Sequence, residues 1–153
     1  MNPLEQGQLS VMRVHAALFG LAMFAIAVTA DLVLGEVLGW AFGLVTVPII
    51  LLLIYPVYLA PVRQFGAWGY RAEADELRLA RGVWIKVETI VPFVRVQHID
   101  VAQGPIERAF GVTRLMLHTA GTAHSLVTLP GLSRTTAEAL RDEIRAHIRS
   151  DAG

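Results

Sequence analysis

The sequence predicts an α+β protein in which a two-helix transmembrane hairpin precedes a small antiparallel β-barrel plugged by one C-terminal α-helix. Two long apolar segments lie ahead of Arg63, and the second, residues 37–62, has no charged side chain. Beyond Arg63 the hydrophobic pattern alternates with a period of two, which is typical of half-buried strands. The last segment has an apolar stripe at helical spacing.

Composition excludes several classes of function. Only 17% of the residues are charged and the mean hydropathy is +0.52, which is unusual for a wholly soluble domain. The 13 basic residues balance the 13 acidic ones, so no global field attracts nucleic acid. The chain has no cysteine. We therefore expect no nucleic-acid partner, no disulfide and no cysteine-ligated metal.

Two membrane spans are predicted within an N-terminal segment that covers residues 1–65, at about residues 14–34 and 37–60. Each is near the length of about 20 residues that crosses the hydrocarbon core as a helix. A cleaved signal peptide is the alternative reading of the first span. Arg13 is a weak n-region for such a signal, however, and the second span follows almost at once.

The charges around the spans predict their orientation. The stretch Asp31–Glu36 between the spans carries acidic residues and no basic one, whereas arginines occur before the first span and after the second. By the positive-inside rule, both termini and the soluble domain lie in the cytoplasm of a multi-pass inner-membrane protein.

Small residues recur every four positions near the spans. Gly35, Gly39 and Gly43 have this spacing, as do Ala16 and Gly20 in the first span. Such spacing allows close helix contact in lipid. Packing within the hairpin and dimerisation or docking with another membrane protein both stay open, so a homo-oligomer is possible.

About seven short strands are predicted in the domain that covers residues 66–150. The hydrophobic phase slips within residues 94–101, which predicts a β-bulge near Gln97 and His98. The clearest stretches are residues 68–71, 76–81, 83–88, 94–101, 115–119 and 126–130, with a turn at residues 120–123.

A final helix follows, capped by Ser133 or Thr135, with Thr135 and Glu138 at capping-box spacing. Its apolar stripe consists of Ala137, Leu140, Ile144 and Ile148. Short strands followed by one amphipathic helix are the layout of a pleckstrin-homology-like barrel, in which the helix plugs an open end.

The stretch VQHIDVAQGPIERAFGVTRLMLHTAG, Val96 to Gly121, resembles the signature of bacterial pleckstrin-homology membrane proteins, the YdbS-like family. The matching positions are Gln97, Asp100, Gln103, Gly104, Arg108, Gly111, Thr119 and Gly121. The resemblance implies a cytoplasmic domain on a membrane hairpin and a larger relative with several such domains as partner. It implies no established reaction, and it suggests envelope stress or tolerance to membrane-active peptides as the process.

Four polar residues of this stretch are candidates for binding a ligand or partner: Gln97, Asp100, Gln103 and Arg108. Alternatively, Asp100 and Arg108 form a structural hydrogen-bond network that fixes the bulged strand to its connector, because polar groups near a bulge need partners in either case.

Basic residues near the spans are candidates for contact with anionic lipid: Arg63, Arg71, Arg78 and Arg81. A simply solvated surface is the alternative for most of them. The loop between the first two predicted strands carries Glu73, Asp75 and Glu76, and carboxylates repel a phosphate cluster. The sequence therefore argues against an inositol-phospholipid site in that loop.

No pattern indicates catalysis, and we expect neither an enzyme nor a cofactor. The five histidines lack metal-ligand spacing, although His98, His118 and His124 could approach one another. No metal site is predicted. Three functions stay open: a membrane-tethered interaction or scaffold subunit, a lipid or small-ligand binder at the membrane surface, and an accessory subunit of a transporter.

Overall fold

The computed structural model describes residues 1–120 and 126–151. The chain divides into two compact units, which are Met12–Arg63 and a second unit that combines Met1–Val11 with Gln64–Gly153. The first eleven residues therefore belong to the unit that is built mainly after the spans. The sequence-based boundary at residues 66–150 did not include them.

The unit Met12–Arg63 contains two apolar helical segments. Helix α1 covers Gln6–Leu38, so it begins in the other unit and continues through this one. The second segment consists of α2 (Thr46–Ile54), a π-helical turn (Tyr55–Leu59) and α3 (Ala60–Gly66). By length and composition both α1 and Thr46–Gly66 can cross a bilayer.

The tip of the hairpin lies later than the sequence predicted. Residues 39–45 join α1 to α2, and Gly39 and Gly43 have positive φ angles of 67° and 100°. The prediction that Asp31–Glu36 forms the tip is therefore wrong, as is the assignment of these two glycines to a helix contact. Close contact occurs instead at Gly20, where an added Cβ would lie 2.8 Å from Val57 Cγ2.

A carboxylate in α1 caps the start of α2. Asp31 is buried, and its oxygens accept hydrogen bonds from the backbone N–H groups of Gly43 (3.1 Å), Val45 (2.9 Å) and Thr46 (2.9 Å). The first N–H groups of a helix have no partner within the helix, and a carboxylate there satisfies them and interacts favourably with the helix dipole. Asp31 thus fixes the chain reversal between the two spans.

The second span stays helical across its prolines. Pro56 cannot donate a backbone hydrogen bond, and it lies in the π-helical turn, where the N–H of Ala60 donates to the carbonyl oxygen of Tyr55. The helix then continues to Gly66.

The other unit contains two three-stranded antiparallel sheets, with strand orders β1-β2-β3 and β4-β5-β6. The predicted α+β class is correct, but the two sheets do not form a closed barrel of seven strands. The strands are β1 (Gly69–Ala72), β2 (Glu76–Arg81), β3 (Val87–Pro92), β4 (Val96–Ala102), β5 (Thr113–Thr119) and β6 (Leu126–Leu132).

Glycine at position 82 explains one departure from the predicted strands. Gly82 has a φ of +109°, and an added Cβ would collide with the carbonyl oxygen of Ile85. The chain therefore turns out of β2 immediately, and residues 82–86 form a loop rather than the start of β3. Val83 and Ile85 consequently lie outside the sheet, although their alternation with Trp84 predicted a strand.

The β-bulge is confirmed, because the pairing of β4 with β5 shifts register between Val96 and His98. A short 3₁₀ turn, Phe93–Arg95, precedes β4, and α4 (Pro105–Ala109) connects β4 to β5. The predicted turn at residues 120–123 falls mainly outside the described residues.

The C-terminal helix α5 (Arg134–Asp151) packs as predicted. Ala137, Leu140 and Ile144 are buried in a core shared with both sheets, and Ile148 packs against that core. Ser133 provides the cap by accepting a hydrogen bond from the N–H of Thr136. The predicted Thr135–Glu138 capping box is not present, because Glu138 pairs with Arg134 instead.

The N-terminal residues complete this core. Asn2 and Tyr70 exchange backbone hydrogen bonds at the edge of β1, and the N–H of Glu5 donates to the carbonyl oxygen of Gly131 at the end of β6. Leu4, between them in sequence, is buried in the same core as the strands. This segment links one edge of each sheet, which periodicity alone could not predict.

We expect Asp31→Ala to lower the stability of the full chain by about 1 kcal/mol or more, the usual effect of losing a helix cap. Three backbone N–H groups would lose their acceptor. Thermal unfolding in a mild detergent measures the change.

Glu36→Ala is the matched control, because Glu36 is an exposed carboxylate further along the same helix. Equal stability of the two variants would contradict the capping role.

Candidate functional site

Within residues 96–121, side-chain hydrogen bonds link the chain just after β4 to the start of β5. The side-chain amide of Gln103 donates to the carbonyl oxygen of Val112 at 2.8 Å and lies 3.5 Å from Oγ1 of Thr113. Val112 and Thr113 are both buried at the start of β5. Gln103, a predicted binding residue, therefore holds the two ends of the α4 connector together.

A buried carboxylate strengthens the same connector. Oε2 of Glu107 accepts a hydrogen bond from the N–H of Gly104 at 2.6 Å and lies 3.1 Å from Nη2 of Arg114. Glu107 is buried in α4, whereas Arg114 is on β5. This pair was not predicted, although an acidic residue three positions after a helix start is a recognisable capping signal.

Asp100 lies at the centre of a polar cluster on the outer face of β4 and β5. Its Oδ1 is 2.8 Å from Nε2 of His98, and its Oδ2 is 3.1 Å from Nε2 of His118. The two imidazole rings are 5.6 Å apart. In residues 1–120 and 126–151 no group of three His, Asp or Glu side chains is arranged to hold a metal ion, and His124 lies outside that range.

The four predicted binding residues are not joined in one network. Asp100 bonds to histidines rather than to Arg108, and Gln103 bonds to the backbone of β5. Arg108 is exposed on α4, and Gln97 is exposed at the bulge. Asp100 and its two histidines form an accessible polar cluster, whereas the side-chain amide of Gln103 donates to a carbonyl oxygen within the fold.

The basic candidates differ in their surroundings. Arg78 lies among three carboxylates, and its hydrogen bond to Glu76, reinforced by Glu73, raises the pKa of the guanidinium. Its charge is already balanced within the domain. The other three contact either an aromatic ring or a single acid: Arg63 over Tyr55, Arg81 over Trp68, and Arg71 at 4.0 Å from Glu73.

A gap separates β3 from β6 because the barrel is not closed. Within the described residues β3 pairs only with β2, and β6 pairs only with β5. Thr89 and Val127 line two adjoining depressions there, so the gap runs along β3. We call it the open seam, and its lining includes two arginines beside apolar and threonine side chains: Trp68, Leu79, Arg81, Thr89, Ile90, Val91, Pro92, Arg95, Thr119, Ala120, Leu126, Val127 and Thr128.

Exposed apolar side chains concentrate beside the seam and at the end of the β2–β3 hairpin. Ile90 and Leu126, which line the seam, are 47% and 46% exposed. Trp84 and Ile85 lie at the tip of the loop and are more exposed still. The alternating pattern of residues 83–88 predicted a strand that includes Trp84 and Ile85, so their exposure was not predicted.

Two apolar spans, a two-sheet β domain and a plugging helix define a membrane-anchored pleckstrin-homology-like protein. Residues 16–148 match the family described as "Bacterial PH domain", and the chain belongs to that family. The match includes most of both spans, which confirms the resemblance inferred from residues 96–121.

A curated relative agrees with this assignment. The chain is 32% identical over 105 residues to the UPF0699 transmembrane protein YdbS of Bacillus subtilis (strain 168). That match covers 69% of this chain and 64% of the relative, so the chain spans less than two thirds of the relative's length. No solved structure matches the chain significantly.

We expect Gln103→Ala to destabilise the chain by about 1–3 kcal/mol, because it leaves the buried carbonyl of Val112 without its donor. Thermal unfolding of the purified protein measures this loss. Gln97→Ala is the matched control, since Gln97 is exposed and should change stability by less than about 0.5 kcal/mol. A larger loss at Gln97 would show that the bulge, not the connector, holds these strands.

Proposed function

We propose that the protein is a non-catalytic subunit of a bacterial membrane complex, and that it binds an extended apolar segment of another membrane protein in the open seam. The observation that carries this proposal is the unpaired edge of β3 beside exposed apolar side chains. Addition of a strand to an exposed sheet edge is a common mode of peptide recognition.

An uncovered edge of this kind is a hazard for a protein. Natural proteins protect sheet edges with charges, prolines or covering segments, because free N–H and C=O groups invite pairing with other chains. The edge of β1 is covered by Asn2, whereas β3 has no such cover in the described part of the chain. A partner segment in the seam would satisfy β3 and bury Ile90 and Leu126.

Membrane anchoring supports this function. Confinement to a bilayer raises the effective concentration of two membrane proteins, so a short segment suffices for association. Met1–Val11 and Gln64–Gly153 belong to one compact unit, which supports a topology with two crossings and both segments on one side of the membrane. The arginines that flank the spans favour the cytoplasmic side.

The partner would be another membrane protein of the same complex, and a larger relative with several similar domains fits this role. Envelope stress and tolerance to membrane-active peptides, which the resemblance suggests, would be the setting in which the complex acts. The transporter reading has less support, because Asp31, a buried carboxylate of the spans, caps a helix instead of facing a pathway.

Site-specific photocrosslinking in native membranes tests the proposal. A photoreactive residue in place of Ile90 should give a discrete adduct with one membrane protein, whereas the same residue in place of Glu143, exposed on α5, should not. An adduct with a second copy of the chain would identify the seam as a self-association surface instead. The absence of any adduct at Ile90, or the same adducts at both positions, would contradict the proposal.

We also expect Ile90→Lys to reduce recovery of that partner severalfold, because a charge would be placed in an apolar interface. Ile90 is exposed in the isolated chain, so the melting temperature should hardly change. Undiminished recovery of the partner would contradict docking in the seam.

A further inference from the structure

The most exposed apolar side chains of the described chain lie in the soluble unit, not in the spans. Trp84 is 81% exposed and Ile85 is 77% exposed, compared with at most 74% for a large apolar side chain of the spans, at Leu52. Two adjacent apolar residues at this exposure form a small patch at the tip of a loop. Patches of this kind usually mark a contact surface.

The geometry of the loop places this tip away from the sheet. β2 ends at Arg81, which pairs directly with Val87 at the start of β3, so the hairpin is closed immediately below residues 82–86. Gly82 supplies the positive φ that reverses the chain. The tip therefore projects from a closed hairpin, and its side chains have no core to enter.

The charges around the tip have one sign. Arg81 and Lys86 flank the loop and are both exposed, and residues 82–85 carry no charge. The nearest acid on β3, Glu88, lies 3.9 Å from Nη1 of Arg78, so its charge is partly balanced. An apolar tip between cations is complementary to an anionic lipid surface.

The residue types favour a lipid interface over bulk water. Tryptophan is enriched at the boundary between headgroups and acyl chains, where its ring is apolar and its N–H can still bond to water or phosphate. The chain is attached to the bilayer through its spans, so the loop needs no further anchor to find this surface.

We propose that the Trp84 loop, residues 82–86, inserts Trp84 and Ile85 into the headgroup region of the anionic leaflet, with Arg81 and Lys86 in contact with lipid phosphates. This contact would fix the orientation of the domain on the membrane. Arg81 also lines the open seam, but Trp84 and Ile85 lie outside it, so insertion of these two side chains can fail without affecting the proposed partner site.

Environment-sensitive labelling tests this insertion. Because the chain has no cysteine, Ile85→Cys provides a single attachment site for a fluorophore, and Glu143→Cys on α5 provides the matched control. The full-length protein is reconstituted into vesicles of phosphatidylcholine with phosphatidylglycerol, at a low ratio of protein to lipid.

The label at position 85 should be quenched by nitroxide lipids and be severalfold less accessible to aqueous iodide than the label at position 143. Equal iodide quenching at the two positions would overturn the proposal. Shielding that occurs in native membranes but not in vesicles of pure lipid would also overturn it, because a protein would then be the occupant.

A label-free measurement removes any effect of the fluorophore. Brominated lipids should quench the tryptophan emission of the unmodified protein more than that of Trp84→Phe, which retains Trp40 and Trp68. Omitting phosphatidylglycerol should weaken this difference, because it removes the anionic headgroups. Equal quenching of the two proteins would overturn the insertion.

Discussion

The β domain depends on two separate segments of the chain, one before the first apolar helix and one after the second. Leu4 enters the core formed by strands β1–β6 and helix α5, and the backbone of Asn2 and Glu5 bonds to Tyr70 and Gly131. The domain therefore becomes complete only when the segment before the first span meets the segment after the second. The segments before and after the two apolar helices therefore fold as one unit.

Three further polar residues fix two chain connections of the fold. Asp31 satisfies the first N–H groups of α2 and fixes the reversal between the spans, whereas Gln103 and Glu107 fix the connector between β4 and β5. Asp31 and Glu107 accept hydrogen bonds from backbone N–H groups, and Gln103 donates one to a backbone carbonyl oxygen. Asp100 with its histidines, the open seam and the Trp84 loop are accessible surfaces suited to binding.

The sequence predicted those features that local patterns encode. Uniform apolar composition predicted the two apolar helices, and period-two alternation predicted β2. The phase slip at Gln97 predicted the bulge, and the stripe from Ala137 to Ile144 predicted α5.

The predictions that failed concern geometry that depends on tertiary contacts. Hydropathy cannot place a helix end, so Asp31 was assigned to the tip although it lies within α1. Alternation cannot detect the turn imposed by Gly82, and no periodicity shows that Leu4 joins a core formed mainly by residues beyond position 63. Among the predicted binding residues, Gln103 donates to a carbonyl oxygen that only the fold brings near, so the sequence could not show this contact.

Disulfide trapping between residues 2 and 70 tests the central claim most directly. Asn2 and Tyr70 exchange both backbone hydrogen bonds, and such antiparallel pairs have Cα atoms about 5.5 Å apart, within the range that a disulfide spans. In this cysteine-free chain, Asn2→Cys with Tyr70→Cys should crosslink on mild oxidation of native membranes, whereas Asn2→Cys with Glu143→Cys should not. Failure of the first pair to crosslink, with both thiols reactive toward reagents on opposite sides of the membrane, would contradict the claim that the N-terminal segment completes the domain.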